Sequence, residues 1–113
     1  MNEDQALVCD LTAIPAEARK QHLASIPQLF AAVRAVQELP DGFAFQFKNE
    51  PGKFMALAKF VENEQLCCPF QSFTIDIEPH AGPIWLRLTG GEGVKEMLAA
   101  EVVHSPIKIT DVP

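Results

Sequence analysis

FAFQFKNEPGKFMALAKFVENEQLCCPF, residues 43–70, is the stretch that decides the fold. Its first part alternates phenylalanine with small or polar residues, which is the period of a half-buried β-strand. The NEPG segment at residues 49–52 breaks that strand. Residues 53–67 then follow the pattern of an amphipathic helix, which ends before Pro69 because the residue before a proline avoids helical angles. A strand and a helix that each carry one apolar face predict a helix packed on a sheet.

Short turn segments that contain proline and glycine separate the other elements. PDG at residues 40–42 and PHAG at residues 79–82 are typical of turns that join antiparallel strands. Residues 35–39 lead into the first of these turns, which would join them to a strand at residues 43–48. Two more strands are expected at residues 72–78 and 83–89. Residues 7–11 are short and apolar, and they fit either an opening strand or an ordered N-terminal arm.

Three further helices are predicted outside the central stretch. The first is predicted at residues 16–24, which are rich in helix-forming residues, and the last at residues 94–103. Between them, SIPQ at residues 25–28 has the form of a capping box with proline in a new first turn, so a separate helix is expected at 27–33.

Together these elements predict one α+β domain over residues 1–113. Because the strands alternate and are not continuously apolar, we expect a two-layer sandwich: a mainly antiparallel sheet of about four strands with helices on one face. A ferredoxin-like strand order is one option. The length suffices for a core without help from a disulfide or a metal.

Composition and charge exclude several classes of partner. Nine Lys and Arg stand against fifteen Asp and Glu, a net charge of -6, and the basic residues form no cluster for a phosphate backbone, so nucleic acid is not expected. No apolar run approaches the roughly 20 residues that span a bilayer, and residues 1–10 are acidic, unlike a signal peptide. The expectation is a cytoplasmic protein without a membrane partner.

The three cysteines, Cys9, Cys67 and Cys68, are expected to be reduced thiols. An odd count without a signal peptide argues against a disulfide framework. Adjacent cysteines such as Cys67 and Cys68 seldom bridge each other, because the ring that results is strained.

Glu64 is the unusual residue of the predicted helix. At about 100 degrees per residue it falls near the centre of the apolar arc, while residues 59, 62 and 63 fall on the solvated side. A buried carboxylate needs protonation, a cation, or hydrogen-bond donors. Backbone amides or an arginine would serve, and the candidate arginines are Arg19, Arg34 and Arg87.

Cys67 and Cys68 follow Glu64 at positions i+3 and i+4, so one carboxylate and two thiols converge near the last helical turn. Such a set suits a soft or borderline cation such as zinc, copper(I) or mercury. Both sulfurs reach one ion if the helix frays at Cys68, and Cys9 is the natural third ligand. A metal-free nucleophilic cysteine is less favoured, because a helix C-terminus raises a thiol pKa and no cation adjoins the pair in sequence.

The histidines are not expected to contribute. His22, His80 and His104 lack ligand spacing to one another and are predicted to be solvated.

The EQLCCPF segment at residues 64–70 resembles small uncharacterised bacterial proteins that carry an E-x-x-C-C-P-F signature. An early cysteine with leucine two residues later, at Cys9 and Leu11, the ELPDGF turn at residues 38–43, and WLRLTG at residues 85–90 are also similar. The resemblance implies a shared architecture and a single site formed by Cys9, Glu64, Cys67 and Cys68; it implies no activity.

The leading hypothesis is a protein that binds a soft metal ion or another small thiol-reactive ligand through Cys9, Cys67 and Cys68, with Glu64 as a ligand or base. Two alternatives stay open: a thiol-dependent redox or transfer enzyme, and an interaction module, such as a homodimer through an open sheet edge, in which the cysteines only pack. Whether the protein is an enzyme is undecided by the sequence.

Overall fold

A computed structural model of the chain describes residue 7 and residues 9–100. In this part of the chain three α-helices and four strands follow a short 3-10 turn: the turn Leu11–Ala13, α1 Ala16–Ala31, β1 Ala35–Leu39, β2 Gly42–Phe47, α2 Lys53–Cys67, β3 Gln71–Ile77, β4 Ile84–Gly90 and α3 Val94–Leu98. The predicted α+β class is confirmed. The expected end of the last helix and the C-terminal tail, with His104, lie outside the described residues.

The four strands form one antiparallel sheet in the order β1-β2-β4-β3. The hairpins β1–β2 and β3–β4 are the two that the turn signals predict, and β4 pairs with β2 so that Phe45 lies opposite Leu86. β2, α2 and β3 therefore make a split β-α-β unit with β4 inserted, as in ferredoxin-like folds. The order along the chain differs from that fold, because a helix comes first and the edge strand β1 precedes the split unit.

The core lies between the sheet and the helices, on the face to which the odd-numbered phenylalanines of β2 point. Phe45 and Phe47 are fully buried, and they pack with buried residues of α2, β4 and α3 such as Leu57, Leu86 and Val94. Burying a large apolar side chain contributes roughly 1.5–3 kcal/mol to stability, so this alternation is the main reason the sheet forms.

The chain forms one helix where the sequence predicted two. α1 runs unbroken through Pro27, which removes one backbone donor. The last turn is held by packing, since the Phe30 ring lies edge-on to Phe45 at 5.3 Å and to Phe60 at 5.7 Å. The expected cap at Ser25 is also absent: its hydroxyl donates to the carbonyl oxygen of His22 at 2.8 Å, inside the helix. Tertiary burial overrides the local stop signal.

α2 has the predicted bounds, but its buried face is rotated from the predicted arc. Leu57 and Phe60 are buried as expected, whereas Phe54 is 44% exposed and Asn63 only 6% exposed. The reason is α1, which packs against the flank of α2 that carries Asn63 and adds a second covered side. No helix among the described residues is long and apolar enough to cross a membrane.

Candidate functional site

The end of α2 turns both cysteines of the pair toward the protein interior. Cys67 is the last helical residue, and Cys68 leaves helical geometry with φ −125° and ψ 72° while its N–H still donates to the Glu64 carbonyl at 2.8 Å. Because the backbone unwinds there, the two sulfur atoms lie 3.7 Å apart and both residues are buried. The predicted fray before Pro69 is confirmed.

The segment before α1 carries Cys9 to the same place. The N–H of Asp10 donates to the carbonyl of Cys67 at 2.9 Å, which satisfies one of the unpaired carbonyls at the end of α2. Ile14 is fully buried against Cys67 and Cys68. Residues 9 and 10 form no strand, so of the two readings of this segment the ordered arm is the one observed.

The side chains of two residues, Arg19 and Asp10, hold this arm by hydrogen bonds that do not involve the cysteines. The Arg19 guanidinium on α1 donates to the carbonyls of Leu11 and Ile14, both at 3.0 Å. The Asp10 carboxylate accepts from the Thr12 hydroxyl and amide, and these hydrogen bonds hold the pKa of Asp10 below its usual value. Arg19 thus ties the arm to α1, and the Asp10 amide ties it to the end of α2.

Cys9 and Cys68 form a disulfide, with Cα atoms 4.7 Å apart and a sequence separation of 59. The expectation of three reduced thiols is wrong for these two residues. Two cysteines bridge when their Cα atoms come within about 4.4–6.8 Å, and that proximity is created by the arm contacts, which composition does not reveal. Cys67 and Cys68 are not bridged to each other, as predicted.

The three sulfur atoms of Cys9, Cys67 and Cys68 all lie within 4.8 Å of one another. The prediction that Cys9 lies near Cys67 and Cys68 is therefore confirmed, although Cys9 is far from the pair in sequence. Three sulfur ligands at this spacing could hold a metal ion once the disulfide is open.

Glu64 lies beside the sulfur cluster and is paired with a histidine. Its Oε1 is 2.8 Å from His22 Nε2, and its Oε2 lies 3.5 Å from the Cys68 sulfur. The predicted solvation of His22 is wrong, because that side chain is 1% exposed. None of the candidate arginines pairs with this carboxylate among the described residues: Arg19 contacts the arm, Arg87 pairs with Asp76 at 3.2 Å, and Arg34 lines a cavity beside β2.

The side chain of His22 lies between the two long helices, α1 and α2. Its ring stacks on Phe60 with centroids 5.6 Å apart, and its Nδ1 is buried with no hydrogen-bond partner among the described residues. It also borders a cavity of about 200 Å³, lined by Ala18, Gln21, His22, Ser25, Ala56, Lys59 and Asn63. A signal for its burial was present in the sequence, because positions 18, 22, 25 and 29 follow the helical repeat of one face.

His80, by contrast, is exposed in the β3–β4 turn, as the sequence predicts. Its positive φ of 63° is tolerated in a tight turn, and no candidate site residue lies in that loop. The candidate site residues therefore lie on the arm, α1 and the end of α2.

The Arg19→Ala variant is expected to loosen the arm. Losing two hydrogen bonds from a charged donor, one to the exposed carbonyl of Leu11 and one to the partly buried carbonyl of Ile14, lowers the free energy of unfolding by about 1–2 kcal/mol. Urea unfolding under reducing conditions measures this without the disulfide. Lys20→Ala removes the same charge from the next, exposed position of α1 and is expected to change stability by less than about 0.5 kcal/mol. Equal effects of the two substitutions would contradict the role given to Arg19.

No family model, curated protein or solved structure matches this chain.

Proposed function

We propose that the reduced protein binds a soft or borderline metal ion through the thiolates of Cys9, Cys67 and Cys68. The observation that carries the proposal is the convergence of three sulfur atoms within 4.8 Å of one another. The carboxylate of Glu64 supplies the fourth ligand, or a hydrogen-bond acceptor beside the metal.

Two distances within the cluster match those around a single ion, while the bonded sulfurs of Cys9 and Cys68 must separate on reduction. In a tetrahedral zinc site with Zn–S bonds of about 2.3 Å, two sulfur ligands lie about 3.8 Å apart; the Cys67 and Cys68 sulfurs are separated by 3.7 Å. With a Zn–O bond of about 2.0–2.2 Å, a sulfur and an oxygen ligand lie about 3.5–3.7 Å apart. The Cys68 sulfur and Glu64 Oε2 are separated by 3.5 Å.

The surroundings favour a preformed site. Arg19 and the Asp10 amide hold the arm by contacts that do not involve the disulfide. After reduction these contacts keep Cys9 near the pair, so less conformational entropy is lost when the three thiolates close on an ion. His22 orients the carboxylate of Glu64 in the way that outer hydrogen bonds orient metal ligands.

The disulfide makes metal binding depend on redox state. Two sulfurs joined in a bond between Cys9 and Cys68 are not available as thiolate ligands. Reduction by two electrons and two protons restores both thiols. The oxidised protein is then the closed form of the site and the reduced protein the form that binds.

Anaerobic titration with Zn(II), Cu(I) and Hg(II) tests the proposal. We expect at least one of these ions to bind reduced protein one to one and at least about 100-fold more tightly than oxidised protein. Cys67→Ser and Cys68→Ser should each weaken that binding by at least about 100-fold, and Glu64→Gln by about 10–100-fold. The matched control is Glu62→Gln, an exposed position of α2, which should leave affinity unchanged. Unchanged affinity in both cysteine variants would remove the proposal.

A second candidate is thiol–disulfide exchange, and the observation that favours it is the Cys9–Cys68 bond with the Cys67 sulfur 3.7 Å away. An exchange catalyst speeds the reaction of glutathione with a disulfide-bonded peptide. If this is the function, we expect the unmodified protein to accelerate that reaction and the Cys9→Ser and Cys68→Ser variants to leave its rate unchanged. A rate equal to the uncatalysed one for the unmodified protein would eliminate it.

A further inference from the structure

The three cysteines of the cluster differ in their exposure to solvent. Cys67 and Cys68 are 3% and 1% exposed, whereas Cys9 is partly exposed at the surface of the arm. A disulfide opens when a thiolate attacks one of its sulfurs, and access is one of the factors that decide which sulfur is attacked. The two ends of this disulfide are therefore not equivalent.

The surroundings of Cys68 block attack at that end. Its sulfur lies 3.7 Å from the Cys67 sulfur and 3.5 Å from Glu64 Oε2, and buried Ile14 packs against the same two cysteines. An incoming thiolate would have to displace packed side chains and approach a carboxylate. Cys9 packs against the same cluster but is only partly buried. Its neighbours Asp10 and Leu11 are exposed, so the described residues obstruct an approach to Cys9 less than an approach to Cys68.

We propose that Cys9 is a modification site for low-molecular-weight thiols: the disulfide is opened from this end, through a mixed disulfide on Cys9. The proposal rests on the proposed function only in that opening the bond frees the thiols for a metal. The exchange chemistry itself needs no metal ion.

The reaction has two steps. A thiolate RS⁻ attacks the Cys9 sulfur, a bond forms between R–S and Cys9, the Cys9–Cys68 bond breaks, and Cys68 leaves as a thiolate that takes a proton from water. A second thiolate then attacks the sulfur of R in the mixed disulfide, which releases RSSR and the Cys9 thiolate. In sum, two RSH are oxidised to RSSR and one protein disulfide is reduced to two thiols.

The test uses oxidised, metal-free Cys67→Ser protein, in which the third thiol cannot reshuffle the products. It is treated with limiting glutathione, quenched with acid, alkylated at the remaining thiols and mapped by peptide mass spectrometry. We expect glutathione on Cys9 at least about tenfold more often than on Cys68. Equal labelling, or a preference for Cys68, would overturn the proposal.

The same mapping in urea separates burial from local sequence. In unfolded protein both sulfurs are accessible, so the ratio should fall toward one; a ratio that stays the same would also overturn the inference. Both measurements exclude metal, and a chain that fails to bind metal can still show the Cys9 preference. Conversely, metal binding with labelling at Cys68 would sink this inference and leave the proposed function standing.

Discussion

Cys9→Ser is expected to lower the free energy of unfolding by about 4 kcal/mol under oxidising conditions. The substitution removes a disulfide that closes a loop across a sequence separation of 59, and a crosslink of that length restricts the unfolded chain strongly. Urea unfolding with and without reductant measures the effect. In reductant the difference from the unmodified protein should shrink to less than about 1 kcal/mol, because both chains then lack the bond.

The control for this experiment is Cys67→Ser, which leaves the disulfide intact. It replaces a buried thiol by a polar group and is expected to cost about 1 kcal/mol, with the same value in oxidant and reductant. A Cys9→Ser effect that does not change with redox state would mean that the bond does not stabilise the protein by restricting the unfolded chain.

His22→Leu and Glu64→Leu are expected to be strongly coupled. Each single substitution leaves the other partner without its 2.8 Å contact, in a place where His22 is 1% and Glu64 17% exposed. Removing one side of a charged hydrogen bond there costs about 1.5–3 kcal/mol. The double variant leaves neither group unsatisfied, so its cost should fall at least about 1 kcal/mol below the sum of the singles.

Urea unfolding of the four proteins in chelator gives this coupling without metal. Glu62→Leu on the exposed side of α2 is the matched control and should combine additively with His22→Leu. Additivity of the His22 and Glu64 substitutions to within about 0.5 kcal/mol would show that the pair contributes nothing as a pair.

The parts of the fold that follow from local periodicity were predictable from the sequence. The alternation at residues 43–48 and the turn signals predicted β2 and both hairpins, and α2 begins and ends as expected. Each of these elements has a periodic pattern of apolar residues that places one of its faces in the core. A stop signal such as Pro27 was misleading, because the burial of Phe30 against Phe45 is a long-range contact that a local pattern does not contain.

The site was predictable in its cysteines but not in its bonding. The apolar position of Glu64 indicated that it needed a partner, yet the partner is His22 on another helix, 42 residues away. Helix packing supplies that contact, and a single helix pattern cannot say which neighbour lies opposite. The pairing of Cys9 with Cys68 likewise depends on how the arm is held.

The separation of 59 between Cys9 and Cys68 also matters while the chain is being synthesised. At about 5–20 residues per second, Cys9 leaves the peptidyl-transferase centre roughly 3–12 s before its partner. During that interval any oxidant or thiol meets the early cysteine alone. The segment that holds Cys9 in the finished fold docks on the end of α2, so this cysteine meets its disulfide partner only after α2 has been translated and folded.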